Sequence, residues 1–555
     1  MSTLKPDGKE ARAGVWHHSI KETNGEPKPV DEWVCSPLRV VAVSAVGKSD
    51  FGRLLNIRNS YGDWFEWCMP MSLLSGSGEE LRKELLNMGW EYNVNRAKSI
   101  MTYLFSQHPA RRVMAAKQTG WHSSGVFVMP DAVLGEADVF FQSETAGMAN
   151  YSNGGTLEGW QASIAQKCPG NPVLMFVTAA SFAGPLLKIV HQGSGGFHLL
   201  GDSSKGKSTA LNVACSVWGK AEEYMRTWNA TGNGLEGVAA IRNDTLLVLD
   251  EIKQANPKEI GLTVYSLGNG TGKQRSSRSG VARTAHKWRT LFLSSGEKAL
   301  ETLMMEAGER PNAGQLVRLP SVPAVFGPHG AFHELHGMRD GAELAAHLNT
   351  ASNTHYGHAG KAFIRALVID DAEAVNAAFR KMKGLFGARN SQEGRCAERF
   401  ALVALAGELA IGYGVLPWPE GTAVAAVQTL YKVWQAEQKA GHNEDTQILD
   451  AVATFLDRCG GSHFEPLKGS EHHTVRDRAG FYDDRPSGLG DSARVYLFTE
   501  GGLKAAVKGY DFTRTLKALD EAGWLVEKES GKRSKNTRTR EGQKRLYYVQ
   551  PQEAV

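Results

Sequence analysis

The chain has 555 residues, 42% of them hydrophobic and 22% charged, with a formal net charge of +4. That is the composition of ordinary globular protein, and the length suits three or four domains; so small a net charge identifies no partner by itself. The six cysteines, Cys35, Cys68, Cys168, Cys215, Cys396 and Cys459, are dispersed, and none forms C-x-x-C; this excludes a zinc ribbon or dithiol motif of that kind and fits a reduced cytoplasm.

Residues 1–32 are rich in Lys, Glu, Gly and Pro, lack periodicity and carry no signal-peptide pattern; they are predicted to be a flexible tail. Residues 33–150 are predicted as a β-rich accessory domain. Val40–Val43, Leu54–Ile57 and Trp64–Trp67 read as strands, punctuated by Gly47, Gly52 and Tyr61-Gly62-Asp63, and Leu81–Met88 and Asn95–Phe105 read as helices. The most apolar stretch, Asn171–Val190, is interrupted by Pro172, Pro185 and Lys188. Its uninterrupted part is too short for a membrane span and predicts a buried helix.

Residues 151–330 hold the most informative segment, GGFHLLGDSSKGKSTALNVACSVWG at 195–219. Gly201, Gly206, Lys207 and Ser208 fit G-x-x-x-x-G-K-[ST], between a predicted strand at Phe197–Leu200 and a predicted helix at Thr209–Trp218. Small residues let backbone N–H groups wrap phosphates, and the helix N-terminus adds its positive end. Gly201, Asp202, Ser203, Ser204, Lys205, Gly206, Lys207, Ser208 and Thr209 are the candidate ATP-binding residues. Lys207 suits the β- and γ-phosphates and Ser208 suits Mg²⁺.

The strand Thr245–Leu249 then delivers Asp250 and Glu251. Four apolar residues in a row suit a parallel strand buried on both faces. Asp250 is the candidate Mg²⁺ partner and Glu251 the residue that polarises the attacking water. A third strand, Arg289–Glu297, offers Ser294 or Ser295 as the side chain that senses the γ-phosphate. A fourth, Gln315–Leu319, holds Arg318, a candidate arginine finger for a neighbouring subunit. Glu223–Thr227 reads as a further strand, and Leu235–Ile241 and Pro257–Leu267 read as helices. The alternation predicts an α/β fold with a five-stranded P-loop ATPase core of AAA+ or superfamily III type. Between the second and third ATPase strands lies GNGTGKQRSSRSGVARTAHKW at 268–288. Its Lys273, Arg275, Arg278 and Arg283 are candidates for holding single-stranded DNA in a central channel.

Residues 331–440 are predicted as a helical lid. Its helix Cys396–Ile411 is preceded by Arg395 and contains Arg399 in its first turn, both candidate phosphate contacts. Residues 441–555 are predicted as a winged helix: helices at Thr446–Cys459 and Tyr510–Gly523, then strands at Trp524–Val526 and Leu546–Val549. Between those strands runs KESGKRSKNTRTREGQKR at 528–545, where Lys532, Arg533, Lys535, Arg538 and Arg540 are candidate duplex contacts.

In order along the chain stand CSPLRVVAV at 35–43, TGWHSSGVFVMPD at 119–131, GDSSKGKST at 201–209, TLLVLDEI at 245–252 and NGTGKQR at 269–275. WRTLFLSSGE at 288–297, AGQLVRL at 313–319, HYGHAGKAF at 355–363 and AERFALVALAGELA at 397–410 follow. With these pieces the chain resembles the family known as domain of unknown function nine-two-seven, which includes cassette chromosome helicases of mobile elements. The resemblance covers residues 33 to 435. It implies an AAA+ ATPase that takes ATP and Mg²⁺, assembles as a homo-hexamer and unwinds DNA in replication of a phage or mobile element. No primase module is visible, so any primase activity would come from another chain, and whether a separate primase or loader is required stays open. Two alternatives stand beside this expectation. One is an ATP-gated origin-binding protein without unwinding activity. The other is a protein-remodelling ATPase, which the basic rather than aromatic loop at 268–288 disfavours.

Overall fold

The structure, a computed structural model, describes residues 12–552 except 24, 124, 145–150, 274, 277–281, 284, 442–443, 469–474 and 487–491. The chain divides into two compact units, Met1–Tyr431 and Lys432–Val555.

Residues 15–32 are not a tail: β1 (Val15–Thr23) and β2 (Glu26–Cys35) form an antiparallel hairpin in which Thr23 pairs with Glu26. The overlooked signal is Asn24-Gly25, a favoured two-residue hairpin turn, set between runs polar enough to look disordered. Next come β3 (Leu38–Val46), β4 (Ser49–Arg58), β5 (Trp64–Pro70), α1 (Glu79–Asn87), α2 (Ala97–Ser106) and β6 (Arg112–Ala116). They are followed by β7 (Gly120–Ser123), β8 (Val126–Met129), β9 (Ala132–Leu134) and β10 (Val139–Phe141). One sheet runs β10-β6-β3-β4-β5, and β7-β8-β9 form another. Alternation along the strands puts Leu55, Ile57, Trp67 and Met69 under Leu81, Leu85, Ile100 and Leu104 of the two helices. Leu54, Cys68 and Ala42 face the other side.

The helix α3 (Leu157–Ser163) leads to α4 (Pro172–Ser181), every residue of which from Val173 on is buried. Full burial of each of its larger apolar side chains contributes about 1.5–3 kcal/mol. After α5 (Leu186–Ile189) the parallel sheet begins: β11 (Gly195–Leu200), α6 (Lys207–Ser216), α7 (Ala221–Tyr224), β12 (Arg226–Thr227), α8 (Gly232–Ile241) and β13 (Leu246–Asp250). It continues with α9 (Ile260–Asn269), the short β14 (Arg275–Ser276) and β15 (Ala282–Arg283), β16 (Leu291–Gly296), α10 (Leu300–Glu306), α11 (Ala313–Leu316) and β17 (Ser321–Pro323). The strand order is β12-β13-β16-β11-β17, all parallel. β16 therefore lies between the strand that enters the glycine-rich loop and the strand that ends in Asp250.

Two strand expectations fail here. Glu223 and Tyr224 belong to the one-turn helix α7, so the strand is only Arg226–Thr227. Gln315 and Leu316 lie in α11 rather than in a strand. Asn312 and Gln315 form a reciprocal capping box that starts a helical turn, and the edge strand is formed instead by Ser321–Pro323. The unit closes with α12 (Gly341–Thr354), α13 (His358–Ile369), α14 (Ala372–Lys383), α15 (Ser391–Gly412) and α16 (Thr422–Gly441), the division falling after Tyr431.

The second unit contains α17 (Glu444–Cys459), β18 (Phe464–Pro466), β19 (Gly480–Pro486), β20 (Ser492–Phe498), α18 (Glu500–Ala506), α19 (Phe512–Glu521), β21 (Leu525–Glu527), β22 (Lys535–Thr539) and β23 (Gly542–Val549). Its sheet runs β18-β19-β20-β23-β21, with β22 also paired to β23. Ile448, Val452, Leu503, Leu519, Phe498 and Val549 form its core. The basic run is thus not a bare loop between two strands. Most of it is the β22–β23 hairpin, in which Thr537, Thr539 and Leu546 are buried on the face they share with Lys535 and Lys544, while Arg538 and Arg545 take the other face.

Candidate functional site

Parallel sheets gather their functional loops at the C-terminal ends of the strands, and the glycine-rich loop and the Asp250-Glu251 pair both sit at that edge. The loop leaves β11 after Leu200 and enters α6 at Lys207. Gly206 is the residue before that helix, at φ 91°, a left-handed conformation that suits glycine. It offers no side-chain cap, so the first-turn N–H groups of α6 point into the loop without an internal acceptor of that kind. Lys207 is buried, and its Nζ donates to the carbonyls of Gly201 at 2.7 Å and Asp202 at 2.6 Å. Asp202, Ser203, Ser204, Lys205 and Ser208 are exposed around it, and Thr209 is buried in the helix. A turn that sequence reasoning missed braces the loop: Ala331 N–H donates to the Lys205 carbonyl at 2.8 Å.

Across the sheet, Glu251 has φ 54° and ψ 79°. Such a conformation costs a non-glycine residue about 1–3 kcal/mol and recurs at functional sites. Its backbone N–H donates to Ser295 Oγ at 3.2 Å, and its carboxylate accepts from Lys253 N–H at 3.4 Å. The Ser295 hydroxyl also donates to the Asp250 carboxylate. The register that sets Leu249 opposite Ser294 makes this contact possible, since Asp250 and Ser295 are each one residue further on. Successive strand residues face opposite ways. Ser294 therefore turns into the core, where it meets His198 Nδ1 at 2.9 Å and accepts from Trp228 Nε1 at 2.9 Å. Of the two serines, Ser295 is the one that touches the Asp250 carboxylate and the Glu251 backbone.

Two neighbours escaped the sequence reading. His198 lies on β11, and burial pushes its imidazole down to about 4. Its Nε2 faces the Lys298 carbonyl at 3.1 Å, which ties β11 to the segment after β16. Glu297 follows β16 and pairs with Lys253. That pairing above all, with Lys207 and Ser203 also close, holds its carboxyl below the ordinary range. Lys207, Glu297, Lys253, Glu251, Ser295 and Asp250 thus form one charged cluster. A run such as SSGE gives only one weak cue, an acid just past a buried strand.

Other candidates are not in this cluster. Arg399 does not reach the loop. Its Nη1 donates to the Val317 carbonyl at 2.9 Å, and a side chain at Gly195 would run into its guanidinium. Gly195 begins β11, so Arg399 sits at the opposite end of a six-residue strand from the loop, a separation of roughly 20 Å. Arg395, one turn earlier on α15, is exposed beside a cleft with Lys383, Phe386 and Glu398. Arg318 follows α11 rather than lying in a strand, and it has partners in its own chain. It donates to Asn269 Oδ1 at 2.5 Å and to the Gly314 carbonyl, and its guanidinium lies 4.2 Å over the Tyr265 ring.

In the basic insertion, Lys273 is exposed and its N–H donates to Glu236 at 3.1 Å. Arg275 and Arg283 lie on the paired strands β14 and β15. Arg278 lies outside the described residues. In the second unit, Arg533 pairs with Asp520 at 3.2 Å and Lys535 with Glu527 at 2.6 Å. Lys532, Arg538 and Arg540 are exposed and make no ion pair among the described residues.

The opposite end of the parallel sheet is held by the β7-β8-β9 sheet and the residues leading into it. Asp244, just before β13, pairs with Arg289, just before β16, at 2.7 Å. It also accepts from Trp121 N–H at 3.1 Å, while Asn243 donates to the Thr119 carbonyl at 2.7 Å. A Cβ on Gly120 would collide with Asp244, so the approach needs glycine there. Lys361, nearly buried, pairs with Asp131 at 2.5 Å.

Fold and site together define a mixed α/β protein whose parallel sheet carries a glycine-rich loop beside paired carboxylates. The chain belongs to the family described as Domain of unknown function (DUF927), whose model matches residues 8–287. Its fold is similar to the solved structure "SCCmec type IV Cch - active helicase", at a TM-score of 0.68 and 17% identity over 94% of this chain and 94% of that one. No curated protein matches it in sequence. No helix among the described residues is long and apolar enough to cross a membrane.

Proposed function

We propose that the chain is an ATP-dependent DNA helicase or translocase with an AAA+ core in the first unit and a winged helix in the second. One observation carries this reading. A strand inserted between the loop strand and the carboxylate strand presents a hydroxyl, Ser295, to Asp250 and to the backbone of Glu251. A γ-phosphate seated on the loop would meet a hydroxyl and two carboxylates there, the set that hydrolysis needs.

The residues fit ATP and Mg²⁺. The Lys207 ammonium already satisfies itself on oxygen acceptors of the loop, and the first-turn N–H groups of α6 are donors for phosphate. Ser208, exposed on the first turn of α6, and Asp250 are the oxygen donors for the metal, which supplies charge neutralisation of the phosphates. Glu251 orients the attacking water. Ser295 holds Asp250 and senses the γ-phosphate. Arg395 and Arg318 have no assigned role in this scheme.

The likeness to an active helicase supports DNA unwinding as the output. The exposed Lys532, Arg538 and Arg540 support duplex contact at the β22–β23 hairpin, and Lys273 with the β14–β15 hairpin supports a grip on single-stranded DNA. A homo-hexameric ring completes the proposal, with any primase activity supplied by another chain. The test is ATP hydrolysis and strand displacement on forked DNA. Lys207→Ala is expected to weaken ATP binding. Glu251→Gln is expected to keep binding and slow turnover by at least about 10²-fold, the low end for loss of a general base. Hydrolysis without displacement would favour an ATP-gated DNA-binding role, and normal turnover in Glu251→Gln would remove the catalytic assignment.

A further inference from the structure

The pair Lys253–Glu297 stands at the mouth of the loop with no part in the hydrolysis scheme. Glu297 comes directly after β16, two residues past Ser295. Its carboxylate is bound by Lys253 Nζ. The same lysine gives its backbone N–H to the Glu251 carboxylate at 3.4 Å. Glu251 in turn gives its own N–H to Ser295 Oγ at 3.2 Å. The contacts close a circuit: Glu251 to Lys253, Lys253 to Glu297, back along β16 to Ser295, and from Ser295 to Glu251. Both members of the ion pair are partly exposed, with side-chain accessibilities of 39% and 32%. Glu297 also lies within electrostatic reach of Lys207 and Ser203 of the loop.

A carboxylate beside a phosphate-binding loop opposes the ligand, because like charges at short range repel. The opposition grows with the charge at the distal end of the polyphosphate, so it is greater for a triphosphate than for a diphosphate. A cation bound to that carboxylate cancels it. We propose that Lys253 is a positioning residue that sets triphosphate over diphosphate preference by neutralising Glu297 at the mouth of the loop. The inference rests on the proposed nucleotide site. Lys253 acts through Glu297; its backbone N–H to Glu251 is retained whatever side chain stands at this position.

The experiment is equilibrium binding of a non-hydrolysable ATP analogue and of ADP, each with Mg²⁺, to the full chain. Wild type, Lys207→Ala, Lys253→Ala, Glu297→Gln and the double variant Lys253→Ala/Glu297→Gln are compared, with a melting temperature for each. Lys253→Ala is expected to weaken the analogue by roughly fivefold, the upper size of one exposed ion pair, and ADP by less than about twofold. The double variant is expected to regain the wild-type ratio, because the charge that Lys253 cancels is gone. A purely structural pair would lower the melting temperature and weaken both nucleotides alike, with no rescue by Glu297→Gln; that result overturns the proposal. Wild-type protein that binds neither nucleotide overturns the nucleotide site itself. Binding that needs Lys207 but keeps its analogue-to-ADP ratio in Lys253→Ala overturns only the role of Lys253.

Discussion

His198 shows how a single buried side chain fixes the geometry of this sheet edge. Trp228 Nε1–H donates to Ser294 Oγ, and the imidazole joins that hydroxyl to the Lys298 carbonyl. An imidazole that donates from Nε2 and accepts at Nδ1 satisfies every partner, so the neutral form is the one that fits. Burial pushes its folded pKa down to about 4 from the ordinary 6.5. The unfolded chain therefore takes up this proton first as pH falls. The stabilising contribution is complete above pH 6.5 and is lost as pH falls toward 4, to a total of about 3 kcal/mol. Urea unfolding across that window is expected to show the loss in wild type. His198→Asn is expected to be less stable at pH 7 but to lack this component of the slope. Parallel pH profiles for the two proteins would show that His198 does not titrate differently on folding.

At the level of elements, the strands buried on both faces were the most legible. LLVL announces β13 by an uninterrupted apolar run and FHLL announces β11 by an apolar run broken only by His198, and the loop motif between β11 and α6 needs its residues at fixed spacing. Elements held by local polar chemistry were not legible to a hydrophobic-pattern reading. The β1–β2 hairpin rests on a ladder of largely polar residues, and α11 on the Asn312–Gln315 box. Partnership is equally invisible in sequence: Ser294 and Ser295 are separated only by which face each takes, and Arg318 and Arg399 by what they already touch. The β22–β23 hairpin shows the consequence. The cations on it and just before it look alike in sequence, yet Arg533 and Lys535 are spent on Asp520 and Glu527, while Lys532, Arg538 and Arg540 are exposed. Phosphate contacts release counterions, and each lost contact makes the log–log salt dependence shallower by about one. Replacing Lys532, Arg538 and Arg540 by serine is expected to flatten the slope of duplex binding by as much as about three. Replacing Arg533 and Lys535 is expected to change it less, since those charges are already neutralised. Duplex affinity measured over a salt series decides the matter, and equal slopes for both variants would deny the hairpin a selective role.

Across the whole molecule, the two units have separate cores. Residues from Trp228 to Leu319 surround the parallel sheet, and residues from Ile448 to Val549 form a core of their own. Separate cores favour separate cooperative transitions, because cooperativity follows shared burial. Every residue of the proposed nucleotide site falls in the first unit, and the exposed Lys532, Arg538 and Arg540 fall in the second. A ligand that binds only the folded form of one unit stabilises that unit by RT ln(1 + [L]/Kd), about 2.7 kcal/mol at a hundred times Kd. Calorimetry of the full chain is therefore expected to resolve two transitions. A non-hydrolysable ATP analogue with Mg²⁺ is expected to raise one and leave the other within error. Short duplex DNA at low salt is expected to raise the second. Lys207→Ala is expected to remove the nucleotide shift while preserving both transitions and the DNA shift. A single transition that moves as a whole with either ligand would mean that the units unfold together. A nucleotide shift that survives in Lys207→Ala would place nucleotide binding away from the loop.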